Sequence, residues 1–186
     1  MAGRNKDALP LGGRRIVERQ LAVLRRVAGH VVIVAPDGDR FDHLDVQTVP
    51  DALPHAGPLG GLYTALTVAP TSQILVVACD LPFLEVDFLR RLMELGRDVD
   101  VAVPCTPDGF QPLCASYSRA CAEPIRRHLE AGALKVTGFY DEVRVREVSP
   151  REVAEFDPDG MMFFNVNTPD DYDRARAWLG EISREG

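Results

Sequence analysis

The segment SQILVVACD, residues 72–80, decides the fold class of this chain. It holds five consecutive apolar residues, Ile74 to Ala78, and ends in Cys79 and Asp80 just before a Leu-Pro pair. A short, unbroken apolar run of this kind is typical of a strand that is buried on both faces of a parallel sheet. The sequence therefore predicts a buried strand with the carboxylate of Asp80 at its carboxyl end.

Strand-like and helix-like patterns alternate on both sides of this segment. The further strand candidates are HVVIVAP (30–36), LDVQTVP (44–50), DVDVAVPC (98–105), QPLCASY (111–117) and EVRVREV (142–148). Helical patterns end at Gly29, follow a glycine-rich turn within GPLGGLYTALTVA (57–69), and cover residues 86–96, 118–131 and 169–179. This alternation predicts one α/β domain, residues 1–186, whose mostly parallel sheet is covered by helices on both faces.

Composition and charge exclude several classes of protein. Of the 186 residues, 46% are hydrophobic and 26% charged, and the net charge is −7. Binding to nucleic acid or to an anionic membrane needs a basic face, so we expect no nucleic acid and no membrane as a partner. No apolar run approaches the roughly 20 residues that span a bilayer, and the amino terminus lacks the apolar core of a secretory signal. We therefore predict a cytoplasmic protein.

The four cysteines form no CxxC pair, and most of them lie within apolar strand or helix patterns. These features favour buried thiols in a reducing compartment over disulfides or a structural zinc site. Cys79 in particular is expected to fill the core.

Three unusual segments follow predicted strands or precede predicted helices. They are PDALPHAGPLGG (50–61), CDLPF (79–83) and NVNTP (165–169). In open parallel sheets, ligands bind beyond the carboxyl ends of the strands, where such segments meet. We therefore expect the three segments to form one site.

The first two segments each have two interpretations. Asp80 either binds Mg²⁺ together with the phosphates of a substrate or caps the turn that follows it. Gly57, Gly60 and Gly61 either let a ligand approach the backbone at a helix amino terminus or form a plain glycine-rich turn. The residues alone leave both alternatives open.

The third segment contains a helix start and two further amides. Thr168 is predicted to cap a helix that begins at Pro169. Asn165 and Asn167 are not needed for that cap, and their alternate spacing in an extended segment places both amides on one side. They either bind a polar ligand there or are ordinary turn asparagines.

Five segments occur together in one order along the chain: Lys6 with LPLGG (9–13), PDALPHAGPLGGL (50–62), CDLPF (79–83), QPLCA (111–115) and FNVNTPDDY (164–172). In this set and order the chain resembles the molybdenum cofactor guanylyltransferase family of nucleotidyltransferases. The resemblance spans nearly the whole chain. It implies a Rossmann-like, three-layer nucleotidyltransferase fold.

The resemblance also implies a reaction and its partners. GTP and the molybdopterin-bound molybdenum cofactor would give the guanine dinucleotide cofactor and pyrophosphate, through attack of the terminal phosphate of the pterin on the α-phosphorus of GTP. Mg²⁺ is the implied cofactor, and molybdoenzymes or their chaperones are the implied recipients of the product.

Site residues are implied at the positions that match the family. Asp80 matches the magnesium-binding aspartate and Lys6 the phosphate-contacting lysine, and both are implied to be catalytic. The implied nucleotide-binding residues are Lys6, Asp51, Gly57, Pro58, Gly60, Gly61 and Asp80. The implied pterin-binding residues are Asn165, Asn167 and Lys135.

The chain departs from the family at two places. The family begins with a buried strand and a phosphate loop of the LAGGxSxRMG type, whereas this chain begins with MAGRNK. We therefore expect the first strand to be missing and the chain to be truncated at its amino terminus relative to the family. Pro36 stands where relatives often carry an asparagine near the base, so the resemblance supports guanine selectivity less strongly than the fold. The alternatives are a related enzyme that uses CTP or another acceptor, and a non-catalytic homologue that binds the cofactor.

Overall fold

A computed structural model describes residues 10–36, 41–53 and 55–185 of the chain. Its strands are β1 (Pro10–Leu11), β2 (Arg14–Arg15), β3 (Val32–Val34), β4 (Gln47–Val49), β5 (Gln73–Val77), β6 (Val101–Thr106), β7 (Gly109–Phe110), β8 (Cys114–Ser118) and β9 (Val145–Val148). Its helices are α1 (Ile16–Leu24), α2 (Gly57–Val68), α3 (Val86–Leu95), α4 (Ala122–Glu130), α5 (Pro150–Ala154) and α6 (Pro169–Glu185).

The main sheet has the strand order β5-β8-β6, with β9 on the outer side of β6. β8 is antiparallel to β5, with Val77 opposite Cys114, and antiparallel to β6, with Val101 opposite Tyr117. β9 is parallel to β6. Three strands, β5, β6 and β9, therefore run in one direction, and their carboxyl ends share one edge of the sheet.

Helices cover both faces of this sheet, as the sequence predicts. One apolar cluster joins α2 and α4 to the face of β5 that bears Ile74 and Val76. A second cluster joins α3 to the opposite face, which bears Leu75 and Val77. Because alternate residues of a strand point to opposite faces, the unbroken apolar run of β5 supplies both clusters. The three-layer α/β prediction is confirmed.

A second, smaller sheet pairs β3 with β4 in parallel. Among the residues that the structure describes, no strand pairs with the free edge of β3 or with the edge of β5 that faces away from β8. All five residues of β5 are accordingly half-buried rather than fully buried. Residues 1–9 lie outside the described part, so the expectation that the chain lacks the family's first strand stays a prediction.

The boundaries of several elements differ from the prediction. The strand in the QPLCASY segment begins only at Cys114, two residues after Pro112, which has no N–H to donate to a neighbouring strand. That strand is antiparallel to both neighbours, although a mostly parallel sheet was expected. α1 ends at Leu24, where hydrogen bonds between residues three apart, such as Val27 N–H to Leu24 carbonyl (3.0 Å), tighten the last turn before Gly29.

The cysteine prediction holds for two thiols. Cys114 and Cys121 are buried, and burial raises the pKa of each thiol to about 12. Cys79 is exposed, so the expectation that it fills the core is wrong. It lies beyond Val77, the last residue of β5, where the strand no longer directs alternate side chains into the two apolar layers.

Across the described part of the chain, no helix has both the length and the apolar composition that a membrane crossing requires.

Candidate active site

Asp80 lies in the turn that follows β5, as predicted. β5 ends at Val77, and the Ala78 N–H donates a hydrogen bond to the carbonyl of Leu113 (2.6 Å), which continues the pairing with the chain before β8. The Asp80 side chain is partly buried, with its Oδ1 atom shielded from solvent. A carboxylate at the rim of a sheet, partly desolvated, is well placed to hold a cation against a charged substrate.

The Asn165–Asn167 segment runs directly beside Asp80. The Val166 N–H donates a hydrogen bond to the carbonyl oxygen of Asp80 (3.0 Å). Val166 is fully buried, whereas Asn165 and Asn167 are both exposed. The structure thus brings together the two segments that the sequence singled out, and it exposes both amides on either side of a buried valine.

The start of α6 fixes the backbone next to these amides. The Asp171 carboxylate accepts hydrogen bonds from the N–H groups of Asn167 (3.0 Å) and Thr168 (2.8 Å), and Thr168 Oγ1 accepts one from the Asp171 N–H (3.1 Å). Hydrogen bonds from Thr168 hold the pKa of the Asp171 carboxyl below its usual value. The predicted Thr168 cap is confirmed, and Asp171 completes a reciprocal capping arrangement.

Asp51 ties the loop after β4 to α2. Its Oδ1 accepts hydrogen bonds from the Leu53 N–H (3.1 Å) and from the hydroxyl of Thr64 (3.0 Å), a buried residue of α2. Thr64 Oγ1 also accepts a hydrogen bond from the Ala52 N–H (3.0 Å). Asp51 therefore sets the position of the loop that enters α2, and its contact with a nucleotide stays a prediction.

The GPLGG segment is helical and does not form the glycine-rich turn that the sequence suggested. α2 begins at Gly57, and Pro58 fits its first turn, where an N–H has no partner within the helix. The turn lies earlier, and in it His55 has φ +75° and Gly57 has φ +61°. A non-glycine residue in this left-handed region stores strain, which often marks functional loops.

The amino terminus of α2 carries no side-chain cap in the described structure, because its capping position is Ala56. Uncapped N–H groups at a helix start favour an anion. Pro58 itself has no N–H to donate, so this argument applies to Gly57, and the predicted nucleotide contacts of both residues stay predictions.

Gly60 and Gly61 are adjacent in α2 but have different surroundings. A Cβ atom at Gly60 would lie 2.7 Å from Ala56 Cβ and 3.2 Å from the Leu53 carbonyl oxygen, whereas one at Gly61 would meet nothing within 4 Å. Gly60 therefore permits the close approach of the chain to itself at the loop that Asp51 holds.

The pair of alanine substitutions provides a stability test. We expect Gly60→Ala to lower the free energy of unfolding by about 1–3 kcal/mol, because the loop at Leu53 must move. Gly61→Ala should raise it by about 0.4–1 kcal/mol, because a helical alanine restricts the unfolded chain without a clash. Urea denaturation of both variants measures the difference, and equal effects would contradict the crowding at Gly60.

The amino terminus of α2 and the turn that carries Asp80 lie at the same edge of the sheet. α2 ends at Val68 and β5 begins at Gln73, and Leu66 of α2 packs in the cluster that Val76 of β5 contacts. A helix that packs on the strand following it through so short a connection runs antiparallel to that strand. The amino terminus of α2 and the carboxyl end of β5 therefore face the same side, as expected for a single site.

The structure does not test two of the predicted site residues. Lys6 lies outside the described residues. Lys135 is exposed in the loop after α4, where its carbonyl accepts a hydrogen bond from the Gly138 N–H (2.9 Å). Its predicted contact with the pterin phosphate stays a prediction.

The donor set limits which metal site is possible. Within residues 10–36, 41–53 and 55–185, no group of three or more His, Cys, Asp or Glu side chains could enclose a metal ion. Mg²⁺ commonly binds through one or two carboxylates together with substrate phosphates, and it keeps several waters. Asp80 at the sheet edge fits that kind of site, and among the described residues no cluster around it would form an all-protein cage.

Gln20 is a residue of this region that the sequence reasoning missed. It lies on α1, its side chain is 6% exposed, and its amide nitrogen donates to the carbonyls of Ala78 (2.7 Å) and Leu81 (2.9 Å). A polar residue four positions after the apolar Ile16, on the buried face of the helix, was the available signal.

Comparison with known proteins assigns the chain to a family. The family model described as the MobA-like NTP transferase domain matches residues 1–144.

The chain belongs to the MobA-like NTP transferase family.

Individual relatives are similar over almost the whole chain. A protein of Pelotomaculum thermopropionicum named "probable molybdenum cofactor guanylyltransferase" is 38% identical, over 99% of this chain and 89% of its own length. The molybdenum cofactor guanylyltransferase of Desulfosudis oleivorans is 34% identical, over 97% and 91%. In structure, molybdopterin-guanine dinucleotide biosynthesis protein A from Archaeoglobus fulgidus superposes with a TM-score of 0.83 at 25% identity, covering 96% of this chain and 92% of that one.

These findings confirm the family resemblance and the nucleotidyltransferase fold. This member of the MobA-like family is a nucleotidyltransferase enzyme, and its relatives connect it to molybdenum cofactor biosynthesis.

Proposed function

We propose that this chain transfers GMP from GTP to the terminal phosphate of the molybdopterin-bound molybdenum cofactor. An oxygen of the pterin phosphate forms a new bond to the α-phosphorus of GTP, the bond between the α-phosphorus and the bridging oxygen breaks, and pyrophosphate leaves. The product is the guanine dinucleotide form of the cofactor. Its recipients would be molybdoenzymes or their chaperones, and the predicted location is the cytoplasm.

The hydrogen bond from Val166 to the Asp80 carbonyl is the observation that best supports this proposal. It places the segment with the two exposed amides of Asn165 and Asn167 against the turn that carries the Asp80 carboxylate. Amide side chains both donate and accept hydrogen bonds, which suits the polar edge of a pterin. A carboxylate beside them suits a cation that binds phosphates. Acceptor and nucleotide would thus meet at Asp80.

The reaction needs positioning and charge neutralisation more than a protein nucleophile. Mg²⁺, held by Asp80, would supply charge neutralisation to the phosphates when bound. The amino terminus of α2, which begins at Gly57, faces the same edge, and its first turn offers N–H groups to an anion, except at Pro58, which has no N–H. Asp51 holds the entrance loop of α2 in place through Thr64. The proposed nucleotide contacts are completed by Lys6, Gly60 and Gly61, and those of the pterin by Lys135.

The assay for this proposal compares two nucleotides. The purified chain is incubated with Mg²⁺, the molybdopterin cofactor and either GTP or CTP, and pyrophosphate and dinucleotide cofactor are quantified. We expect GTP, and not CTP, to give both products in equal amounts. Turnover with CTP alone would replace the guanylyl proposal with a cytidylyl one.

One observation keeps CTP in this comparison. Pro36, which follows β3 where relatives often carry an asparagine, is exposed and has no side-chain amide with which to read a base. Cofactor binding without release of pyrophosphate from either nucleotide would instead identify a non-catalytic homologue.

A further inference from the structure

Gln20 is a buried polar residue that belongs to none of the motifs of the proposed site. It lies on α1 between Ile16, which is fully buried, and Leu21, which is 5% exposed. Its own side chain is 6% exposed. An amide in such a position must have hydrogen-bond partners, because burial without them is costly.

Both partners of the Gln20 amide are in the turn that carries Asp80. Nε2 donates to the carbonyl of Ala78 at 2.7 Å and to the carbonyl of Leu81 at 2.9 Å. The amide nitrogen of glutamine has two hydrogens, so these two bonds use its full donor capacity. The side chain therefore spans the turn and joins the peptide groups on either side of Cys79-Asp80.

A third hydrogen bond fixes the residue between them. The Val166 N–H donates to the carbonyl of Asp80 itself at 3.0 Å. The carbonyls of Ala78, Asp80 and Leu81 are thus all held, two by α1 and one by the Asn165–Asn167 segment. When the peptide planes around a residue are fixed, the direction in which its side chain leaves the backbone is fixed as well.

We propose that Gln20 is a positioning residue that sets the direction of the Asp80 carboxylate for binding of a phosphate-bound divalent cation. The inference rests on the proposed function, in which Asp80 holds Mg²⁺. A metal site with few protein ligands depends strongly on the direction in which each ligating carboxylate points. Outer groups that orient a ligand are worth about 10- to 100-fold in metal affinity.

The chain offers a matched control in Gln73. This residue begins β5, at the other end of the strand from Asp80, and its Nε2 donates to the carbonyl of Met93 (2.8 Å) and to Ser116 Oγ (2.8 Å). Gln73→Met and Gln20→Met each remove one partly or fully buried amide with two hydrogen bonds of similar length. Only the second removes them from the Asp80 turn.

The first measurement uses the chain without metal or nucleotide. Hydrogen–deuterium exchange is followed in peptides that cover residues 78–84. We expect Gln20→Met to speed exchange there by about tenfold, as the loss of buried hydrogen bonds implies. Gln73→Met should leave this segment unchanged and speed exchange around residues 93–97. Equal exchange at residues 78–84 in the two variants would overturn the positioning role.

The second measurement is the metal dependence. The binding of Mn²⁺ in the presence of GTP, followed by its electron paramagnetic resonance signal, and the Mg²⁺ concentration for half-maximal turnover are both measured. In Gln20→Met the dissociation constant for Mn²⁺ and the Mg²⁺ concentration for half-maximal turnover should both rise by about 10- to 100-fold. In Gln73→Met both should stay at the wild-type value. A lower kcat with unchanged metal dependence in Gln20→Met would overturn the proposal.

A second variant, Gln20→Asn, keeps the proposal testable if Gln20→Met does not fold. Gln20→Asn keeps a donor but lacks one methylene, so we expect values between those of wild type and Gln20→Met, and wild-type behaviour in all measurements would count against the proposal. If the wild-type chain has no turnover with GTP, the proposed function fails. The exchange and Mn²⁺ results still decide whether Gln20 positions Asp80.

Discussion

Replacing Asp80 with asparagine is expected to lower the rate of Mg²⁺-dependent nucleotidyl transfer by on the order of 10³-fold. The amide has nearly the shape of the carboxylate but carries no charge with which to hold a cation against the phosphates. The backbone around residue 80 keeps its hydrogen bonds from Gln20 and Val166, since these go to carbonyl groups. The free energy of unfolding should therefore change by no more than about 1 kcal/mol.

A steady-state assay of pyrophosphate release over a range of Mg²⁺ concentrations measures this effect. Asp87→Asn is the matched control, because it makes the same change at an exposed position of α3, where Asp87 pairs with Arg90 at 3.1 Å. An exposed pair of this kind contributes little to stability, so the control should retain its rate and its fold. Near wild-type turnover by Asp80→Asn would remove Asp80 from the mechanism.

Local patterns in the sequence were sufficient to predict the parts of this site that depend on neighbours along the chain. Five apolar residues, Ile74 to Ala78, predicted a strand leading to Asp80, and β5 is that strand, although it ends at Val77 and Asp80 lies in the turn after it. Thr168 and Pro169 predicted a helix start, which α6 confirms through its cap. In each case the signal and the structure involve residues only a few positions apart, so the sequence contains the whole interaction.

Contacts between distant segments could not be derived in this way. The two hydrogen bonds of Gln20 reach carbonyls that are 58 and 61 positions away along the chain. No spacing rule connects a helix glutamine to two particular carbonyls. Similarly, Gly60 and Gly61 are the same residue type, and each lies between a leucine and the other glycine. Only Gly60, however, faces Ala56 and Leu53. Which of two glycines is crowded depends on where the loop returns, and that is a property of the folded chain.

The pairing of the strands could not be predicted from the sequence either. The apolar pattern of residues 111–117 predicted a strand, but it carried no information on direction or neighbour. β8 lies between β5 and β6 and is antiparallel to both. Its insertion brings the chain before Cys114 next to Ala78, at the carboxyl end of β5. The position of the Asp80 turn thus depends on a pairing that only the fold reveals.

The largest expected loss of stability is that of Phe88→Ala. Phe88 is fully buried on α3, and its ring contacts Phe156 (centroids 5.6 Å apart) and Phe163 (5.9 Å) in edge-to-face geometry. Truncation removes the ring and leaves a cavity among these aromatics, which should lower the free energy of unfolding by about 3–5 kcal/mol. Because Phe163 lies two residues before Asn165, the cavity should also loosen the segment beside Asp80.

Denaturant unfolding followed by the fluorescence of Trp178, the single tryptophan of the chain, measures this loss. Phe110→Ala is the control, because Phe110 is 41% exposed and its ring contacts one aromatic ring, that of Tyr140, at 5.7 Å. This control should lose only about 0.5–1.5 kcal/mol. The comparison separates burial from residue type, since both variants delete the same side chain. If the two variants lose the same free energy of unfolding, the second apolar cluster, between α3 and the sheet, does not hold residues 156–163 in place. The support of the Asn165–Asn167 segment must then come from its hydrogen bond to Asp80 and from the α6 cap.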